Sequence, residues 1–273
     1  MSDKSYVNIP LAEVPGMPWI PDRSYKMQVY SKMPYFINTT TRQGVQLSTA
    51  GAQPSYILAD DGDYIPYTIK SIGGWEIGLM NIALPYIRDG DTVLDIGANL
   101  GTWSVTLAKN PTLTVHSFEP QRKIFLNLCA NLWLNQRYNV HAHNCALGLE
   151  EDSGKTLAMY SLPNTYNTAT ASLLPMDHLT GMDVSCKMMH LDDPFFGIDK
   201  VNFIKLDVEG YEEQVLRGGA KLIAKWKPII FFESGHGPTW ADIRKSLFDY
   251  FTEIGYTVSQ IANDDWLAVP KKD

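Results

Sequence analysis

Basic charge, paired cysteines and long apolar runs are all scarce in this sequence. Its 273 residues carry 23 Lys and Arg against 30 Asp and Glu, a formal net charge of −7. Affinity for a phosphate backbone comes from clustered Lys and Arg, so this balance argues against a nucleic-acid partner, while a local basic groove stays compatible with it. The three cysteines, Cys129, Cys145 and Cys186, are odd in number and widely spaced. No C-x-x-C pair occurs, which argues against a structural zinc site or a disulfide framework and fits a reducing compartment. No apolar run approaches the ~20 residues of a membrane-spanning helix. Met1 to Pro10 shows no basic leader followed by an apolar stretch, so no signal peptide is read there. We expect a cytoplasmic globular protein without a membrane span.

What is present divides the chain. Residues 1–70 hold Pro10, Pro15, Pro18, Pro21, Pro34, Pro54 and Pro66. Proline at that density disfavours long helices, so we expect short strands and turns: an N-terminal extension packed on the main domain, residues 71–273. From about residue 72 strands and helices alternate. Trp75–Ile87 has helical apolar spacing, Thr92–Ile96 reads as a buried strand, and Asn99–Lys109 as a helix. Leu113–Phe118, Gln121–Gln136 and Tyr138–His143 continue as strand, helix and strand. Residues 148–190 break the rhythm with Gly, Pro, Ser and Thr and read as an irregular insert of strands and loops. The alternation resumes with strand Val201–Leu206, helix Glu212–Lys225, strand Pro228–Phe232 and helix Thr239–Ile254. A hairpin-like pair, Tyr256–Ser259 with Trp266–Val269, closes the chain. Such alternation predicts a mostly parallel sheet covered on both faces.

Chemistry concentrates at the predicted carboxyl ends of the strands. In Val93–Gly101 (VLDIGANLG) a buried strand enters a glycine-bearing turn that opens a helix. Gly97 and Gly101 allow close approach of a nucleotide-like or amino-acid-like ligand, and the helix start offers free N–H groups. Asn99 stands where the dinucleotide fingerprint has its second glycine, which disfavours a pyrophosphate and hence NAD. Glu119 follows the next strand, 22 residues beyond Gly97, near the ~20-residue offset at which an acid meets ribose hydroxyls. In Ile204–Glu212 (IKLDVEGYE), Asp207 ends a central strand. It could raise a neighbour's pKa by repulsion, hold a cationic cofactor group, or hold a divalent metal. Glu212 is read as an acid charging the start of the following helix. Glu233 ends another strand and leads into Ser234-Gly235-His236-Gly237-Pro238, where His236 is a general-base candidate and His178 a weaker one. His141 and His143 share a strand face without a third ligand and read as ordinary strand residues.

The linked set VLDIGANLG, Phe118-Glu119-Pro120, Asn144-Cys145-Ala146-Leu147-Gly148 and IKLDVEGYE resembles the FkbM-family methyltransferases over residues 72–235. That resemblance implies a class I methyltransferase fold: a Rossmann-like, doubly wound seven-stranded sheet, mostly parallel with one antiparallel edge strand. It implies S-adenosyl-L-methionine as cofactor. Asp95, Gly97, Asn99 and Gly101 would line its methionine end and Glu119 would bind the ribose. Asn144 and Ala146 would lie beside the adenine, Glu76 would help hold the cofactor, and Asp207 would sit near the transferred methyl or a substrate-positioning metal. A divalent metal is compatible with the site but is not predicted, and no metal ligand is named. The acceptor implied is a hydroxyl of a small molecule or a sugar, with His236 and Asp207 as catalytic candidates. A nucleic-acid methyltransferase and a cofactor-binding module without turnover are the alternatives, and a homo-oligomer is compatible with the sequence.

Overall fold

The computed structural model of the chain describes residues 27–30, 56–59, 64–72, 74–161, 171–175, 180–235 and 238–271. Strands β1 (Met27–Tyr30) and β2 (Tyr56–Ala59) pair antiparallel ahead of helix α1 (Tyr64–Ile72). Pro66 is tolerated because it falls in the first turn of α1, where a missing amide costs no helical hydrogen bond. Tyr56, Ile65 and Ile69 are buried with Leu100, Val105, Ile124 and Leu128 of the main domain.

The predicted helix Trp75–Ile87 is shorter. Helix α2 (Ile77–Ala83) runs into a single 3₁₀ turn, Leu84–Tyr86, at Pro85, which has no amide to continue the α pattern. Then come β3 (Thr92–Ile96), α3 (Thr102–Leu107), β4 (Thr114–Phe118), α4 (Arg122–Leu134) and β5 (Val140–His143). Helix α3 begins at Thr102, three residues later than predicted, because Asn99 and Gly101 take left-handed φ of 49° and 85°. The insert contains β6 (Ala146–Leu147), β7 (Thr156–Ser161) and β8 (Thr180–Met189), a small sheet in the order β6–β8–β7.

After β9 (Phe203–Leu206), the single helix predicted over Glu212–Lys225 is two, α5 (Glu212–Gly218) and α6 (Ala220–Trp226). The glycines at the break have a packing cause. A Cβ on Gly218 would collide with the Gly148 carbonyl, and one on Gly219 would lie 2.7 Å from Leu191 Cδ2. Strand β10 (Ile229–Glu233), helix α7 (Pro238–Glu253), β11 (Tyr256–Gln260) and β12 (Asp265–Pro270) complete the chain.

The main sheet has seven strands in the order β11–β12–β10–β9–β3–β4–β5. All run parallel except β12, which is antiparallel to both β10 and β11. The terminal pair thus supplies the reversed strand, which lies one position in from the margin. This is the class I methyltransferase fold. The strand order reverses beside β3, so a crevice opens at the carboxyl ends of β3, β4 and β9.

Strand period sorts the side chains to the two faces. Leu94, Ile96, Ile204, Leu206, Ile230 and Phe232 face α5–α7 and the insert. Val93, Val115, Phe203, Phe231 and Leu267 face α2 and α3. On that second face the apolar rows end in Asp95, Ser117, Lys205, Glu233 and Asp265, so it turns polar as it reaches the crevice. Among the described residues no helix is long and apolar enough to cross a membrane.

Candidate active site

The turn after β3 is locked to both neighbouring strands. Gly97 N and Ala98 N donate to the Phe118 carbonyl at 3.1 and 2.9 Å, and Asp207 N donates to the Ile96 carbonyl at 3.1 Å. Gly97 has φ 77°, and a Cβ there would collide with the Asp207 carbonyl oxygen. Glycine is therefore demanded first by the end of β9. A Cβ on Gly101 would strike Leu128, so that glycine serves the packing of α3 on α4 and does not line the crevice. Asp95 lies beneath the turn. It is fully buried, and its Oδ2 accepts from the amide and hydroxyl of Ser104 in α3.

Glu119 enters the crevice from the end of β4. Its Oε2 accepts from Asn99 N at 3.1 Å and its Oε1 from Gln121 N at 2.7 Å. The carboxyl group is 3% exposed, and burial pushes its pKa up to about 7 against the pull of those two amides. Beside it an apolar wall forms from Phe118, Cys145, Ala146, Leu147, Met159 and Leu173. Asn144 stands behind this wall, its Nδ2 donating to the carbonyls of Glu119 and Pro120 at 2.9 and 3.1 Å.

The opposite end of the crevice is acidic. Glu76 caps α2 with a left-handed φ of 54° and accepts from Trp103 Nε1 at 2.6 Å; burial raises its pKa. Asp207 accepts from Lys205 Nζ at 3.1 Å. Glu233 lies close by, and the negative charge of Asp207, then burial, raise its pKa. Burial and Asp207 also raise Glu209 well above the usual range and bring Asp265 to about 6. Carboxylate oxygens of Glu76, Asp207 and Glu233 lie within 4.8 Å of one another, a spacing one cation could share. Lys205 is the positive charge present among them. Burial lowers its pKa, but Asp207, Asp95 and Glu76 outweigh that and raise it. Tyr64 and Trp75, with ring centroids 5.6 Å apart, stand at the mouth.

Residues 95–258, more than half of the chain, match the family described as the methyltransferase FkbM domain. The chain belongs to the FkbM methyltransferase family. A protein of Beauveria bassiana (strain ARSEF 2860) named Methyltransferase 1 is 31% identical over 152 residues, 48% of this chain and 59% of its own length. The 31-O-demethyl-FK506 methyltransferase FkbM of Streptomyces tacrolimicus is 27% identical over 159 residues, 48% of this chain and 60% of that protein. The matched region thus spans about three-fifths of these curated relatives. The crystal structure of methyltransferase FkbM from Methylobacillus flagellatus KT is similar at 20% identity and a TM-score of 0.48, covering 66% of this chain and 44% of that one.

Of the positions that the FkbM resemblance singled out, Glu76, Gly97, Asn99, Glu119, Ala146 and Asp207 line one crevice. Asp95, Gly101 and Asn144 stand behind its walls as supports. His236 and His178 lie outside the described residues. Glu212 is 2% exposed and its Oε1 accepts from Val208 N and Gly210 N, so it ties down the turn after β9. His143 is a residue of strand β5, its Nε2 3.2 Å from His116 Nδ1 and its ring stacked on Phe118. Lys205, Trp103 and Asp265 were not singled out from the sequence. Lys205 had a signal: a charge inside the apolar strand Phe203–Leu206 must find buried partners.

Proposed function

We propose that this chain is an S-adenosyl-L-methionine-dependent methyltransferase that methylates a hydroxyl of a small molecule or a sugar. The observation that carries the reading is Glu119, whose two carboxylate oxygens are fixed by backbone amides from both sides of the crevice. Each oxygen keeps a lone pair for a ribose hydroxyl. The rest of the lining fits the same ligand. The wall beside Glu119 is apolar, as an adenine requires, and Lys205, the one cation among the described residues lining the crevice, is already engaged by Asp207 and the Gly97 carbonyl. The acidic end, with Glu76 and Asp207, suits a group bearing ammonium and sulfonium charge. Fold alone would not separate these ligands; the lining side chains support the sulfonium nucleoside.

When bound, the cofactor supplies a methyl group already activated on a positively charged sulfur. The protein's part is then alignment, which can account for a large share of the barrier. The locked turn after β3 and the Glu76–Trp103 bond hold the donor end in place. Tyr64 and Trp75 offer the acceptor an aromatic mouth. A base takes the hydroxyl proton as the oxygen attacks; His236, three residues beyond Glu233 in sequence, and Asp207 are the candidates. The Gly235 carbonyl accepts from Arg244 at 2.8 Å. An oxygen acceptor also agrees with the name of the Streptomyces relative, a 31-O-demethyl-FK506 methyltransferase. No divalent metal is part of this reading.

Calorimetric titration tests it. S-adenosyl-L-methionine and S-adenosylhomocysteine should bind, NAD should not, and Glu119→Ala should weaken both ligands at least ~10-fold, since hydrogen bonds to a charged group contribute ~1.5–3 kcal/mol each. Binding of NAD with the sulfur nucleosides ignored would reverse the assignment.

A further inference from the structure

We propose that Lys205 is a positioning residue that sets how strongly the crevice prefers the positively charged cofactor over its neutral product. The inference rests on the S-adenosyl-L-methionine reading and concerns the same site. Lys205 sits in the middle of β9, in register with Asp95 of β3 on one side and Phe231 of β10 on the other. It is 5% exposed. Its Nζ donates to the Gly97 carbonyl at 3.0 Å and to Asp207 Oδ2 at 3.1 Å, and lies 4.0 Å from Asp95 Oδ1. One ammonium thereby joins the glycine turn of β3 to the acid beyond β9. Among the described residues lining the crevice it is the one cation, facing the carboxyl groups of Glu76, Glu119, Asp207, Glu209 and Glu233.

In methyl transfer the acceptor oxygen forms a bond to the methyl carbon as that carbon's bond to sulfur breaks; the electron pair stays on sulfur, the hydroxyl proton passes to the base, and the sulfonium charge disappears. Uncompensated carboxylates would hold the charged reactant more tightly than the transition state, in which that charge is dispersing, and so would slow the step. They would also favour the charged donor over the neutral product at equilibrium. A fixed ammonium among them offsets both effects. The hydrogen bond to the Gly97 carbonyl places that charge on the turn itself. A lysine needed only for folding would support both ligands alike, so the two roles separate in one ratio.

At neutral pH S-adenosyl-L-methionine carries one net positive charge and S-adenosylhomocysteine none. Both are titrated by calorimetry into the wild type, Lys205→Met, Lys205→Arg, Asp207→Asn and the double variant. Two unit charges ~12 Å apart at an effective dielectric constant of ~20 change an equilibrium constant about 10-fold. Lys205→Met should therefore raise the ratio of cofactor to product affinity about 10-fold, and Lys205→Arg should keep it within about 2-fold of wild type. If Lys205→Met alone does not fold, adding it to Asp207→Asn removes the ion pair whole, and the ratio should rise by the same factor over Asp207→Asn. A ratio unchanged by loss of the ammonium in both backgrounds, with both affinities falling together, overturns the proposal. Wild-type protein that binds neither ligand overturns the cofactor reading first, and this one with it.

Discussion

Replacing Glu119 by glutamine should remove a loss of stability that the ligand-free protein suffers as pH rises, while weakening its grip on the cofactor. Burial pushes the Glu119 carboxyl up to about 7 from its ordinary value of 4.5. The folded state therefore holds a proton that the unfolded state has released between those values, and stability falls as pH rises through that window. A shift of that size corresponds to ~3 kcal/mol once both states are ionised, and to less than ~1 kcal/mol near pH 5. Glutamine does not titrate and resembles the protonated acid in shape. Urea denaturation of the wild type and Glu119→Gln at pH 5 and pH 8, without ligand, isolates this group because every other titration cancels in the difference. The glutamine amide nitrogen cannot accept from Asn99 N or Gln121 N, a loss common to both pH values, so the stability of the variant relative to the wild type should rise by ~2.5 kcal/mol from pH 5 to pH 8. Equal differences at the two pH values would refute the claim that this carboxylate is held at a cost to the fold.

Two further substitutions probe the frame around it. Gly97→Ala combines a left-handed φ of 77° with a collision against the Asp207 carbonyl; a loss of more than ~3 kcal/mol is expected in urea denaturation, and a loss below ~1 kcal/mol would contradict the locked turn. Glu76→Gln weakens the charge-assisted bond from Trp103 Nε1, which should alter tryptophan emission and cost ~1–2 kcal/mol of affinity for S-adenosylhomocysteine; unchanged affinity would remove Glu76 from the cofactor's surroundings. His236→Ala, assayed with a methylated acceptor, should lower turnover at least ~100-fold with cofactor affinity kept, and unaltered turnover would leave Asp207 as the base.

The sheet was legible because its strands are buried on both faces. Runs such as Val93-Leu94-Asp95-Ile96 and Phe203–Leu206 admit few other readings, and the polar residues at their carboxyl ends mark where the crevice opens. Glu119 could be placed because a strand end and a spacing fix where its side chain emerges. Other features depend on what comes near from elsewhere in the chain. The break at Gly218 and Gly219 exists because Gly148 and Leu191 press on it, and neither is close in sequence. Gly101 reads as a ligand-facing glycine in any strand–turn–helix segment, yet here Leu128 of α4 fills the space. Asn144 and Asp95 show the same dependence: Asn144 bonds to the Glu119 and Pro120 carbonyls and Asp95 to Ser104 of α3, contacts that no local sequence pattern announces. Lys205 escaped notice because an acid-rich motif draws attention to its acids. Among the described residues lining the crevice, the one cation lies two residues upstream of Asp207, inside the strand.

A crystal structure with S-adenosylhomocysteine bound tests the central claim most directly. Both ribose hydroxyls should lie within hydrogen-bonding distance of the Glu119 carboxylate, with the adenine against Ala146 and the amino-acid end at the turn that begins with Gly97. A nucleoside bound elsewhere, or a Glu119 still closed onto the protein while the ligand occupies the crevice, would contradict it.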